Sequence, residues 1–307
     1  MRLVPFLVFF AALSALAEPA KPATKPPETK PAETKPANGP LTVAVVAALN
    51  DQTADNQVAA LAGWVKATLG RDAREKVFND YDQLAAAVSK GEVDVAMMGP
   101  LAVLRLDPKA KAALLFRTIR KGHPTYRSVL FAKNGSPLKN LDALRKAKGL
   151  KVGWVDPSSA TGYIIPKAHL VQNGIDPVQV FVSQDFAGTH DAVCNGVVAG
   201  TYDVGATFAS DPAPLAPKAS GCDGSLGKKV ATLTVITATA EIPNDALVAG
   251  PALTKGESDK LTAEAKKLAA SDVGKKTLAS AFLAEGVADV ADADYDPVRR
   301  ALDAFKR

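Results

Sequence analysis

The chain is poor in the residues that hold metals and redox centres. Its 307 residues include two cysteines, three histidines and two tryptophans. His123, His169 and His190 stand at no metal-ligand spacing from one another or from a cysteine, so no metal site is expected, and no cofactor either. The formal charge of +5 comes from scattered lysines. No basic stripe with interleaved aromatics occurs, which argues against nucleic acid as a partner. A mildly positive surface is at most a weak attraction for anions. No Gly-x-Ser-x-Gly elbow is present, so a hydrolase built on Ser159, His190 and Asp203 is disfavoured and no catalytic residue is expected.

What is present begins with Arg2, the apolar run Leu3 to Leu13, and Ala15-Leu16-Ala17. Those features predict a signal peptide over residues 1–17, cleaved after Ala17, and export to the periplasm. The run is too short for a good transmembrane span. No second run of that length follows, and no cysteine that would take a lipid anchor, so a soluble mature protein is expected. Residues 18–40 lack aromatics and β-branched aliphatics and carry a proline every few positions. Such a segment cannot bury enough surface to offset its ordering entropy, and it reads as a disordered linker. It serves either as a spacer or as a plain low-complexity tail. In an oxidising compartment Cys194 and Cys222 could form one disulfide; two buried free thiols are the alternative.

From residue 41 onward the pattern is α/β. Leu41 to Ala48 reads as a buried strand, and Val58, Leu61, Val65 and Leu69 recur at helical spacing up to Gly70. A strand at Lys76 to Phe78, a helix at Tyr81 to Lys90 and a strand at Val93 to Met98 complete a β-α-β-α-β unit with a parallel sheet. Strands are predicted at Ala112 to Ile119 and Ser128 to Lys133, and a helix at Leu141 to Lys148. The β-α-β-α-β pattern then recurs: strand Lys151 to Val155, helix Ser159 to Asn173, strand Val178 to Val182, helix Asp191 to Ala199, strand Asp203 to Thr207. Strands follow near Val230 to Thr237 and within Glu241 to Ala249, then helices from Lys255. The last helix is expected to be capped by Asp296, with Pro297 at its first position. Two lobes wired alike suggest a ligand held in the cleft between them. The expected boundaries are 41–130 with 238–307 for lobe 1, including the C-terminal helices, and 131–237 for lobe 2.

The most informative stretch is Trp154-Val155-Asp156-Pro157-Ser158-Ser159-Ala160-Thr161-Gly162-Tyr163, which joins a strand to a helix. A helix start leaves backbone N–H groups unpaired and carries partial positive charge. Small residues let an oxyanion approach those amides, and Ser158, Ser159 and Thr161 add hydroxyls. Plain capping is the competing explanation. Pro166 falls inside the helix and would crowd the carbonyl of Gly162, so a bend is expected. Gly188-Thr189-His190-Asp191 opens the next helix of the same lobe, and Gly99-Pro100 ends the matching strand of the first.

With these residues the chain resembles the phosphonate-binding family of type II periplasmic binding proteins, which bind phosphate, phosphite or phosphonates for ABC importers. The resemblance covers roughly Leu41 to Phe305. It includes Asp80-Tyr81, Val93-Asp94-Val95-Ala96 with Gly99, and Tyr126-Arg127-Ser128-Val129-Leu130. It continues through Asp156 to Tyr163, Gly188 to Asp191, Tyr202 to Ala206, Ile242-Pro243-Asn244-Asp245 and Tyr295-Asp296-Pro297-Val298-Arg299. The resemblance implies a small oxyanion as ligand, an ABC permease as partner, and a monomer. Position by position, it implies that Ser159, Ala160 and Thr161 grip the oxyanion, with His190 contacting it. Tyr81 would reach in from the first lobe, Thr207 would stand at the cleft edge, Asp245 would hold an amino group or a P–OH, and Met98 would line the pocket. Ala160 stands where the family often has Thr. Met97 and Met98 stand where aromatics are frequent, and Leu49-Asn50-Asp51 lacks the usual proline turn, which implies a wider or more apolar first-lobe half. A sensor or scaffold domain for a different small anion is the alternative.

Overall fold

Among the described residues twelve strands build two mixed sheets, each with a parallel centre. In chain order they are β1 (Leu41–Val46), β2 (Ala73–Phe78), β3 (Val95–Met98), β4 (Ala113–Ile119), β5 (Thr125–Lys133), β6 (Leu150–Trp154), β7 (Phe181–Phe186), β8 (Val204–Ala209), β9 (Leu233–Ala238), β10 (Ile242–Pro243), β11 (Ala246–Ala249) and β12 (Gly286–Ala288). The computed structural model describes residues 39–47, 51–210 and 220–305. The expected signal peptide, and the linker before Gly39, lie outside the described residues. Among the described residues no helix is long and apolar enough to cross a membrane.

The first sheet runs β12-β4-β11-β3-β1-β2, with β1 parallel to β2 and β3. The second runs β10-β5-β8-β6-β7, with β6 parallel to β7 and β8, and β9 also paired to β5. The two centres are therefore the same motif used twice. In each, the chain leaves the middle strand through a helix, forms one neighbour, and returns through a second helix to form the other. One antiparallel strand then closes the parallel set: β11 beside β3, and β5 beside β8. Right-handed crossovers require helices on the sheet faces, so the strands are buried on both sides and read as continuous apolar runs. Leu41, Val43, Val45, Val95 and Leu247 fill one face of the first sheet with the helix Asp51–Leu69; Ala44, Ala96, Met98 and Val248 fill the other with the helix Tyr81–Ser89.

Two crossings join the sheets. The first is Arg120 to Pro124, where Arg120 and His123 exchange both backbone hydrogen bonds across Lys121 and Gly122, whose φ angles are +51° and +79°. Two successive left-handed residues make the tight primed turn that matches strand twist. The second crossing runs through β10 to Asp245. Asn244, buried, ties the two together: its N–H donates to Pro124 O (3.1 Å), and its Nδ2 to His123 O (2.8 Å) and Thr118 O (3.2 Å).

Four expectations need correction. β5 belongs wholly to the second sheet, so the chain crosses before residue 125 rather than at 130. The last helix, Asp296–Phe305, packs on the second-lobe helix Ile165–Gln172 through Ile165, Ala168, Val298 and Ala301, whereas the helices Lys255–Lys267 and Asp272–Ala281 pack on the first. Asp296 is not a cap: a 3-10 turn, Asp292–Tyr295, runs straight into the helix, and Asp296 pairs with Arg299 instead. The strand expected at Val178 to Val182 is shifted toward the C-terminus. Asp176 caps a helical turn, Pro177–Val180, by accepting from Val178 N, and β7 begins only at Phe181.

Candidate functional site

The helix start after β6 is shaped by its proline. Residues Ala160–Ile164 form a π-helical turn in which Ile164 N donates to Ser159 O and Ile165 N to Ala160 O, and the α-helix Ile165–Gln172 continues it. Pro166 has no N–H, so it leaves the carbonyls of Thr161 and Gly162 without their helical partners. Both are satisfied from outside the helix. Ser128 Oγ of β5 donates to Thr161 O at 2.7 Å, and Val155 N donates to Gly162 O at 3.1 Å. These bonds pin the turn onto its own sheet. Gly162 is obligatory there, because a Cβ would sit 2.3 Å from Val155 Cγ2. Ser159 Oγ accepts from Gly162 N at 3.0 Å, while Ala160 and Thr161 occupy the first two helical positions, whose N–H groups have no intrahelical acceptor. The proline's effect on the helix start takes the form of this π turn.

His190 opens the helix His190–Ala199, with Thr189 as its cap. Its Nδ1 lies 2.9 Å from Thr207 Oγ1, and its ring stacks edge-on against Phe208 at 5.0 Å. Burial pushes its pKa down to about 4, with Asp191 opposing weakly, so the ring is neutral near pH 7. Thr207 is fully buried. It positions His190 rather than standing at the open cleft edge. The segment from Ser220 backs this pair: a Cβ on Gly221 would lie 2.3 Å from Thr207 Oγ1 and 3.1 Å from His190 Cβ. The Cys194–Cys222 disulfide, one of the two states the sequence left open, fixes that segment to the His190 helix.

In the first lobe a cavity of about 210 Å³ is lined by Val45, Gln57, Tyr81, Met97, Arg120 and Asp245, among others. It is smaller than the roughly 300–1,000 Å³ of sites for drug-sized ligands, as suits a small solute. Asp80 accepts from Asp82 N and Gln83 N, which places Tyr81 at the first helical position facing the cavity. Gly99 stands beside both groups: a Cβ there would make ordinary contact with Asp245 Oδ1 (3.4 Å) and Tyr81 (3.9 Å). Burial, then the nearby Asp245 charge, raises the phenol pKa values of Tyr81, Tyr126 and Tyr295, so all three stay protonated.

Tyr81 and Asp245 are thus brought together, as are Ser159, Ala160 and Thr161 in one turn and His190 with Thr207. Among the described residues the cavity lining contains no residue of the second sheet beyond the Arg120 crossing. Tyr126 of β5 connects the groups: it senses Asp245, Arg120 and Tyr81, meets the Phe208 ring at 6.4 Å, and packs in the same apolar cluster as Ala160. Met98 is corrected. It is 1% exposed in the core of the opposite sheet face, and its neighbour Met97 lines the cavity. Arg120 and Gln57 were missed. The Lys121-Gly122 pair between two apolar runs was the available signal for a hairpin ending at Arg120. Ser159, His190 and Asp203 form no relay: His190 Nδ1 is taken by Thr207, and Asp203 Oδ2 accepts from Lys151 N at 2.8 Å.

Comparison with known proteins agrees with this fold. The family model described as "ABC transporter, phosphonate, periplasmic substrate-binding protein" matches residues 43–295. The "Phosphate-import protein PhnD" of Mycolicibacterium smegmatis is 28% identical over 284 residues, 86% of this chain and 85% of its own. Two solved structures share the fold. A binding protein component of an ABC phosphonate transporter from Pseudomonas aeruginosa has a TM-score of 0.63 at 22% identity, covering 88% of this chain and 87% of its own. A Prochlorococcus marinus protein solved in complex with methylphosphonate has a TM-score of 0.65 at 17% identity, covering 88% and 99%.

Proposed function

We propose that this protein, which belongs to the family of periplasmic substrate-binding proteins of phosphonate ABC transporters, captures a small phosphorus oxyanion between its lobes and delivers it to the importer's permease. The reading rests on two features of the same lobe, a pinned helix start at Ala160–Thr161 and a neutral His190 held through Nδ1 by Thr207. When Thr207 donates to Nδ1, the proton sits on Nε2 and the imidazole becomes a fixed donor. Backbone amides, the Ser159 and Thr161 hydroxyls and this N–H hold an anion by preorganised hydrogen bonds. The lobes close about Arg120–Pro124 and the β10–Asp245 segment, bringing Tyr81 and Asp245 over the ligand. The protein acts as a monomer in the periplasm, requires no cofactor and performs no catalysis.

Calorimetry on protein freed of carried-over ligand tests the reading. Phosphate, phosphite and methylphosphonate are titrated into the wild type, Ser159→Ala and His190→Ala. One-to-one binding of at least one ligand, weakened in both variants, supports it. No heat with any of the three from folded wild-type protein overturns it in favour of another solute or a sensor role.

A further inference from the structure

Among the described residues the cavity is lined by one carboxylate and one guanidinium, and they are bonded to each other. Arg120 Nη2 lies 2.7 Å from Asp245 Oδ2, with the side chains 32% and 31% exposed. Arg120 is anchored at its far edge as well: Nε donates to Leu283 O at 3.0 Å, and Nη2 also approaches Phe282 O at 3.5 Å. Among the described residues Nη1 has no acceptor. The other charges nearby are spent elsewhere. Arg105 pairs with Asp82 and Arg117 with Asp294. Tyr81, Tyr126 and Tyr295 are neutral phenols, and His190 is a neutral imidazole. Among the described residues the cavity's charge therefore rests on Asp245 and Arg120, and it sums to zero.

An unpaired Asp245 would repel a phosphorus oxyanion and reward a ligand ammonium group. Arg120 removes both effects, because it already supplies the cation, and a second cation would meet the guanidinium. The ion pair engages Asp245 Oδ2, so among the described residues Oδ1 remains as an acceptor for a P–OH proton.

We propose that Arg120 determines ligand choice: by neutralising Asp245 from within the chain, it takes the place of a ligand ammonium group and selects amine-free oxyanions bearing a P–OH over aminoalkylphosphonates. This rests on the phosphorus-oxyanion reading above. It gives Arg120 a role that an ordinary surface ion pair would lack, since exposed pairs contribute little to stability.

The test titrates phosphate, methylphosphonate and aminoethylphosphonate into the full mature protein, Arg120→Met, Asp245→Asn and the double variant, with melting curves on each. The wild type is expected to prefer the amine-free ligands. Arg120→Met should lose about tenfold or more in their affinity and shift the ratio toward aminoethylphosphonate by about a hundredfold. The double variant, with no charge left, should recover part of the loss. Asp245→Asn, which leaves Arg120 unpaired, should move the ratio the other way, and it keeps the idea testable if Arg120→Met fails to fold. An unchanged ratio in the folded single variants, or a wild type preferring the amine, overturns the role of Arg120. A wild type that binds no phosphorus compound at all strikes the oxyanion reading itself, and the inference falls with it.

Discussion

Thr207 holds Nδ1 of His190 at 2.9 Å from its own hydroxyl, and the Thr207 side chain is wholly buried while doing so. The buried hydroxyl, one strand away, decides which imidazole nitrogen is left for a ligand. Thr207→Val keeps the shape and removes that hydrogen bond; Thr207→Ser keeps the bond. Oxyanion affinity is expected to fall about tenfold in the valine variant and to be largely retained in the serine variant, measured by calorimetry. Equal affinities in wild type and Thr207→Val would remove Thr207 from the binding site.

His190 also makes the fold sensitive to acid. Its folded pKa of about 4 lies below the ordinary 6.5. As pH falls through 6.5 the unfolded chain takes up a proton that the folded chain refuses, so stability declines between about pH 6.5 and 4 and is unaffected above about 7. The loss from this one group is up to roughly 3 kcal/mol. His169, lowered by burial too, acts in the same direction. Denaturant unfolding of wild type and His190→Gln across that window should give a shallower slope for the variant.

Gly221 is a spacing residue. A Cβ would lie 2.3 Å from Thr207 Oγ1 and 2.8 Å from Phe208 Cε1, too close for either. Gly221→Ala is therefore expected to displace the His190–Thr207 pair. It should weaken ligand binding about tenfold or more, alongside a modest fall in melting temperature. Wild-type affinity in this variant would show that the pair tolerates movement.

The Cys194–Cys222 bond spans 28 residues of sequence. Loop-closure arguments give such a crosslink about 3–4 kcal/mol of stability. Cys194→Ala/Cys222→Ala, or the reduced wild type, should melt several degrees lower. Because Gly221 adjoins Cys222, ligand affinity should fall as well. A variant that loses stability but keeps its affinity would separate the crosslink from the site.

Much of the second-lobe half of the site was legible in the chain. The run Asp156 to Tyr163 carries its own local instructions: small residues, a hydroxyl at the cap, and a proline that must strip two carbonyls. The carbonyls' outside partners, Ser128 and Val155, could not be read, because they depend on which strand lies beside the turn. The first-lobe half was less visible. Met97 and Met98 are the same residue type on opposite faces of β3, so only sheet register could say which one meets the cavity. Arg120 looked like one more scattered cation until the crossing placed it against Asp245, 125 positions away.

The sequence by itself determined the repeated β-α-β-α-β order, the helix starts at Tyr81, Ser159 and, to within one residue, Asp191, and the family resemblance. The element order and helix starts follow from local periodicity, capping and turn chemistry within a few residues, whereas the resemblance rests on the order and spacing of motifs along the chain. Only the tertiary structure decided where the chain crosses between sheets, that the last helix packs on the second lobe, that Cys194 meets Cys222, and that Arg120 neutralises Asp245. Those are contacts between distant segments, set by which faces and edges remain to be covered once the local elements have formed, and no short stretch of sequence encodes them.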